Sequence, residues 1–176
     1  MTTLYLARHG ETDWNRELRI QGSSDIDLNE LGRAQAQALA QELEHVELDA
    51  IYSSDLSRAR QTAEAVAATH GLEVRLDARL RERAFGSWEG LTREDVRALP
   101  EGSKHDGESD DELRERVLEA IQAIADAHPG EDVLVVAHGG ILNALWHHAI
   151  GERVERWANC AVYKLAVRDD GYVAVD

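Results

Sequence analysis

Two stretches decide the fold: Leu4-Tyr5-Leu6-Ala7-Arg8-His9-Gly10, and Val133-Leu134-Val135-Val136-Ala137-His138-Gly139-Gly140. Each opens with a short continuous apolar run, the pattern of a strand covered on both faces, as in a parallel sheet. Each run then ends in a histidine followed by glycine. In open α/β sheets ligands collect beyond the carboxyl ends of the strands. Two histidines placed there by two separate strands are therefore the main structural lead.

Outward from these strands, helical and extended patterns alternate. Arg8 to Asn15 is polar and turn-like. Asn29 is an N-cap for a helix through about Glu44, with Leu31, Ala34, Ala38 and Leu39 on its inner side. Asp49 to Tyr52 reads as a second strand. A helix starting at Asp55 or Ser57 ends near His70, with Gly71 as its C′ residue. Glu73 to Leu76 reads as a third strand. Phe85 to Asp110 is the least regular stretch, with Gly86, Gly90, Pro100, Gly102 and Gly107, and with a short helix from Thr92 to Leu99 inside it. Ser109 caps a long helix to about Ala127, in which Leu113, Val117, Ala120, Ile121 and Ile124 recur at helical spacing. Pro129 and Gly130 follow it. A helix from Ile141 to Ile150 and a hairpin from Cys160 to Val175, turning at Asp170-Gly171, complete the chain. The expected fold is a three-layer α/β/α sandwich on a mostly parallel sheet with an antiparallel edge strand. Residues 1–176 are expected to form one domain, with a small lid or insertion at about 85–110.

Bulk properties bound the function. The 176 residues carry 34 acids against 19 bases, a net charge of −15. That balance argues against nucleic acid or an anionic membrane as partner. The bases are nearly all arginine, with Lys104 and Lys164 the exceptions. An ordinary soluble acidic surface and a solvated shell adapted to high salt both fit this composition. No apolar run reaches the roughly 18 residues of a membrane helix, no signal peptide is visible at Met1-Thr2-Thr3-Leu4, and the lone Cys160 has no partner for an internal disulfide. A cytoplasmic location is the default expectation.

Taken singly, each reactive residue has an ordinary structural reading. A histidine at a strand end can be a satisfied core group, Arg58 or Arg60 a surface ion pair, and Glu82 one acid among 34. The combination carries more. Arg8-His9 and His138 follow strands. Arg58 falls on the first turn of a helix, where an anion is already favoured. Glu82 precedes the irregular stretch. Phosphoryl transfer needs a nucleophile, positive groups around the transferred oxygens, and a proton donor for the leaving oxygen. This set contains all three, and no coherent cluster of metal ligands appears: His147 and His148 are adjacent on a helix and point to different faces.

The segment Leu6-Ala7-Arg8-His9-Gly10-Glu11-Thr12-Asp13-Trp14-Asn15 resembles the signature of the histidine phosphatase superfamily, in its phosphoglycerate-mutase-like branch. The resemblance continues in order through Gln21-Gly22, Leu28 with Gly32, Ser53-Ser54-Asp55-Leu56-Ser57-Arg58-Ala59, Thr62, Leu80-Arg81-Glu82, Gly86 with Trp88-Glu89-Gly90, Gly107-Glu108-Ser109 and Val136-Ala137-His138-Gly139-Gly140. It departs at Asp27-Leu28-Asn29, where the family commonly has Pro-Leu-Thr; Asn29 caps as well as Thr.

The resemblance implies that His9 accepts the phosphoryl group through one ring nitrogen while a backbone carbonyl holds the other. Arg8, Arg58 and His138 then hold the phosphoryl oxygens, with His138 as an imidazolium favoured by nearby carboxylates. Glu82 protonates the leaving oxygen. Thr12, Asn15, Gln21, Gly22 and Gly139 are phosphate or substrate contacts. No metal and no cofactor is implied. Lys104 and His105 are read as solvated loop residues, or else as contacts to a second acidic group. Trp14 and Trp88 are packing groups that could also wall the cleft.

The expected activity is metal-independent hydrolysis of a small phosphorylated metabolite through a phosphohistidine. The alternatives are a cofactor-dependent phosphoglycerate mutase and a non-catalytic phosphate-binding module. Family mutases carry a long insertion after the glutamate, with basic residues for a second acidic group. Here only about 25 residues separate Glu82 from Gly107, with Arg83, Arg93, Arg97 and Lys104 among them. Retention of His9 and Glu82 speaks against a degenerate binding module. A homodimer is left open.

Overall fold

The computed structural model describes residues 1–175. Its elements run β1 (Thr2–Arg8), α1 (Asp13–Arg16), α2 (Glu30–Glu42), β2 (Ala50–Ser53), α3 (Ser57–His70), β3 (Val74–Leu76), α4 (Arg93–Arg97), α5 (Asp110–Ala127), β4 (Asp132–Ala137), α6 (Gly139–Ile150), β5 (Val162–Arg168) and β6 (Gly171–Val175). The six strands form one sheet in the order β3-β2-β4-β1-β5-β6. β3, β2, β4 and β1 are mutually parallel. β5 runs antiparallel to β1, and β6 pairs back on β5 at the edge.

The two diagnostic strands are central neighbours, with Leu4 opposite Val133 and Arg8 opposite Ala137. Residues 133–137 are completely buried. Strand alternation divides this apolar run between two cores. Leu4, Leu6, Val133 and Val135 pack with Leu113, Val117, Ile121 and Leu142 of α5 and α6. Ile51, Leu134 and Val136 pack with Leu39, Ala63 and Val66 of α2 and α3. Helices on both faces of the sheet make the three-layer α/β/α sandwich. Among the described residues no helix is long and apolar enough to cross a membrane.

Local chemistry sets the boundaries. Asn29 accepts from the Gly32 amide at 2.8 Å, and Ser109 with Glu112 forms a reciprocal capping box on α5. Gly71 ends α3 in the left-handed conformation at φ 64°. The polar stretch after β1, expected as a plain turn, contains the short helix α1 behind a Thr12–Asn15 capping box.

The inner face of α2 differs from expectation. Gly32, Ala36, Leu39 and Ala40 are buried, while Leu31 is 52% exposed and Ala34 and Ala38 face solvent. The cause is Gly32. A β-carbon there would collide with the Glu11 carbonyl oxygen, and one on Gly10 with the Gly32 carbonyl oxygen. Backbone-to-backbone packing of α2 on the loop after β1 thus rotates the helix away from the face that leucine periodicity favours.

Candidate active site

The chain leaves the carboxyl ends of β1, β4 and β2 at one place. β1 delivers Arg8 and then His9, and β4 delivers His138. β2 delivers Ser54 and, one turn later, Arg58 on the first turn of α3. His9, Arg58 and His138 are 2%, 1% and 0% exposed. The rings of His9 and His138 lie 5.1 Å apart between centroids.

Each group is held in one orientation. His9 Nδ1 lies 2.6 Å from the Gly10 carbonyl oxygen. Only a protonated Nδ1 satisfies that pairing, so Nε2 carries the lone pair. His138 Nε2 pairs with the Ser54 hydroxyl at 2.9 Å. Arg8 Nη1 donates to the Trp157 carbonyl at 2.5 Å. Arg58 donates to the carbonyls of Ser24 and Gly22 at 2.7 and 2.8 Å.

These bonds leave a remainder. Arg8 Nε, Arg58 Nε and His138 Nδ1 are buried nitrogens with no protein partner. A buried polar group without a partner costs about 1–3 kcal/mol, so three on side chains that meet at the strand ends are a deviation from ordinary packing. A bound oxyanion would satisfy them.

Thr12 orients two further donors. Its hydroxyl accepts from the Asn15 amide at 3.1 Å and donates to Gln21 Oε1 at 2.7 Å. Asn15 Oδ1 accepts from the Thr12 amide at 3.2 Å and from Asn159 Nδ2 at 3.4 Å. Both side-chain oxygens are thereby occupied, and the NH2 groups of Asn15 and Gln21 remain as donors.

Glu82 closes the site from the other side. Its Oε2 accepts from the Gly140 amide in the first turn of α6, and its Oε1 from the Arg83 amide, each at 2.9 Å. A β-carbon on Gly140 would collide with the Glu82 carboxylate. Gly140→Ala is therefore expected to displace Glu82 and lower kcat by at least about tenfold with little loss of stability, because a flexible side chain yields easily. Gly139→Ala meets Arg8 only at 3.4 Å and is expected to cost less. Steady-state kinetics with thermal melts of both variants check this ordering.

Arg8, His9, Asn15, Gln21, Gly22, Arg58, Glu82 and Gly139 line a single cleft of about 860 Å³. His138, fully buried, does not line it and lies against the His9 ring. Thr12 does not line it; fully buried and fully bonded, it acts on Asn15 and Gln21. Trp14 and Trp88 do not line it either. Trp14 lies against Gly90, and Trp88 stacks edge-on with His105. His105 itself is packed between Phe85 and Trp88 rather than solvated, and neither it nor Lys104 lines the cleft. A second concavity of similar volume, between α1 and α2, is lined by Glu11, Asp13, Asp27 and Glu30 against Arg16 and Arg33, a net negative set poorly suited to a phosphate ester. Among the described residues no three His, Cys, Asp or Glu side chains gather as a metal-holding group.

Sequence reading missed Asn159, Ser54 and the Trp157 carbonyl. Asn159 Nδ2 also donates to the His9 carbonyl at 2.9 Å. Ser54 was findable by the strand-end rule that found the histidines. Asn159 and Trp157 lie in an irregular stretch with no periodic signal.

The electrostatics correct one expectation. No carboxylate holds His138 as an imidazolium. Burial first, then the charges of Arg58, His9 and Arg8, push it well below its ordinary value. Burial, then Arg58 and Arg8, do the same to His9. Arg58 is itself pushed down by burial to about 10 and stays charged at neutral pH.

This has a sign for stability. Below the ordinary histidine value of 6.5 the unfolded chain binds protons that the folded chain refuses, so stability falls as pH falls through that region. Melting temperature is expected to drop by several degrees between about pH 7.5 and 5.5, before most carboxylates titrate. The drop should shrink in His138→Asn. An equal drop in that variant would remove His138 as a cause.

Comparison with known proteins fits this geometry. The family model of the histidine phosphatase superfamily (branch 1) matches residues 4–176. The chain belongs to that superfamily. It is 40% identical to phosphoglycerate mutase-like protein 4 of Arabidopsis thaliana, over 90% of this chain and 76% of that one. It is 44% identical to a metal-independent phosphoserine phosphatase of the same plant, over 83% and 68%. The solved structure of a mycobacterial glucosyl-3-phosphoglycerate phosphatase, in complex with VO3, superposes with a TM-score of 0.87 at 32% identity, covering 98% and 96%.

Proposed function

We propose that the protein is a metal-independent phosphomonoester hydrolase acting on a small phosphorylated metabolite through a phosphohistidine. The observation that carries this reading is the trio of buried, unpartnered nitrogens on Arg8, Arg58 and His138 beside a histidine whose Nε2 lone pair is free. His9 Nε2 attacks phosphorus in line, the P–O ester bond breaks, and Glu82 in its acid form gives its proton to the departing oxygen. Glu82, now a carboxylate, takes a proton from water, and the resulting hydroxide displaces phosphate from His9. Arg8 and Arg58 spread the charge that builds on the equatorial oxygens, a task for fixed donors in a water-poor site. His138 adds a donor there once the phosphate dianion supplies the negative charge that favours its protonated form.

Hydrolysis is preferred over the mutase reading because the segment between Glu82 and Gly107 is short, and of its basic residues only Arg93 lines the cleft. Water then has access to the phosphohistidine. The test is phosphate release from p-nitrophenyl phosphate and a panel of metabolite esters, with and without EDTA. Release unaffected by EDTA is expected. Activity that EDTA abolishes, or interconversion of phosphoglycerates with no release to water, would overturn the proposal.

A further inference from the structure

Glu89 does not line the cleft, yet its half-buried carboxylate takes four hydrogen bonds from two separate segments. Its Oε1 accepts from the Ser23 amide and the Ser23 hydroxyl, each at 2.9 Å, and from the Phe85 amide at 3.0 Å. Its Oε2 accepts from the Ser24 hydroxyl at 2.6 Å. Burial pushes this carboxyl up, but the bonds from Ser24, Ser23 and Phe85 outweigh it and hold the group below its ordinary value. The site therefore keeps the carboxylate ionised at neutral pH, as an acceptor for all four donors.

A carboxylate that collects nearby amides is often only a loop cap. Here both segments carry groups of the reaction. Ser23 and Ser24 belong to the loop whose Gly22 and Ser24 carbonyls hold the Arg58 guanidinium. Phe85 follows Glu82 by three residues and lines the cleft with it. The two segments close on each other at Gly22, which has φ 52°; a β-carbon there would strike Glu89 Oε1 and lie 3.0 Å from the Arg83 carbonyl oxygen. Glycine alone permits that approach. Glu89 contributes little as a countercharge. Burial pushes Arg58 down, and Glu82, then Asp25, oppose that more than Glu89 does. What Glu89 supplies alone is the bonded link between the two segments.

From this arrangement we infer that Glu89 is a positioning residue, which fixes the spacing between the carbonyls that aim Arg58 and the segment that carries Glu82. The inference rests on the phosphatase reading for the role of Glu82, though not for phosphate binding at Arg58. Its mechanism is geometric. Arg58 grips an oxyanion only while Gly22 and Ser24 hold its other nitrogens, and Glu82 meets the leaving oxygen only while its segment keeps its distance from that grip. A misplacement of about 1 Å between such groups can cost about 10²-fold in rate.

The test reads both ends of the link. Calorimetric affinity for inorganic phosphate reports the Arg58 end without turnover. The ratio of kcat for glycerol 3-phosphate to kcat for p-nitrophenyl phosphate reports the Glu82 end, because only the alkoxide needs a proton as it leaves. Glu89→Ala is expected to weaken phosphate binding by about tenfold and to lower the kcat ratio by about tenfold. Glu89→Gln keeps an oxygen for the three donors on Oε1 and offers an N–H to the Ser24 hydroxyl. It should bring both readouts back to within about threefold of wild type. A carboxylate that only capped a loop would change the melting temperature of Glu89→Ala and leave both readouts unmoved, which would overturn the inference. So would a change at one end alone, or a Gln variant as impaired as the Ala variant. Should Glu89→Ala fail to fold, the pair Ser23→Ala with Ser24→Ala removes both hydroxyl donors and no backbone carbonyl. Phosphate affinity should then fall several-fold, and an unchanged affinity would overturn the inference. Phosphate affinity that falls in Glu89→Ala, in a protein whose wild type hydrolyses no ester, would support the link to Arg58 and overturn the phosphatase reading.

Discussion

His9→Ala is expected to abolish turnover, by at least about 10⁴-fold in kcat/KM, and to leave no acid-labile phosphate on the protein after mixing with an ester. The other histidine of the site is poorly placed for the role. His138 is turned by Ser54 at 2.9 Å and has its free nitrogen buried, whereas His9 presents Nε2 because Gly10 holds Nδ1. The loss should be catalytic rather than structural. His9 lies among Arg58, Arg8 and His138, not in either apolar core, so truncation removes no core packing. Circular dichroism with rapid-quench phosphoprotein analysis checks both halves. Phosphoenzyme that persists in this variant would move the nucleophile elsewhere.

Glu82→Gln carries the second-largest expected effect, and its signature is the dependence on leaving group. Alkyl esters should slow by about 10²–10⁴-fold, since an alkoxide needs its proton as it departs. Nitrophenolate leaves without one, so p-nitrophenyl phosphate should still phosphorylate His9. It should then show a burst of about one equivalent before slow hydrolysis, because the amide cannot activate water. The substitution is mild in shape but not in bonding. The carboxylate accepts from two backbone amides, and a glutamine turns an N–H toward one of them. Equal losses for both ester types would argue against Glu82 as the proton donor.

Much of the fold was legible because it rests on local rules. Residues 133–136 form a buried central strand since nothing in that run tolerates water on either side. The caps at Asn29 and Ser109, the stop at Gly71 and the apolar face of α5 follow from side-chain chemistry within one helical turn. What misled was the face of α2. Leucine and alanine spacing favoured Leu31, Ala34 and Ala38, but the contact between Gly32 and the Glu11 backbone is made by residues with almost no hydropathy signal.

The candidate site divides in the same way. His9, His138 and Arg58 could be picked from sequence because strand ends and a helix start converge in an α/β sheet. Thr12 was expected at the phosphate; the structure bonds it to Asn15 and Gln21 instead, a distinction that no spacing rule resolves.

By itself, then, the sequence determined which residue types stand at the carboxyl edge of the sheet, since periodicity, caps and glycines act over a few residues. The choice of His9 Nε2 as the free nitrogen, the burial that lowers the basicity of both histidines, and the docking of Glu82 on Gly140 were decided only by tertiary structure. The physical reason is range. Tautomers, desolvation and unpaired donors depend on atoms brought within about 3 Å of each other from segments up to 150 residues apart, as the Asn159–His9 bond is, and no local pattern encodes that meeting.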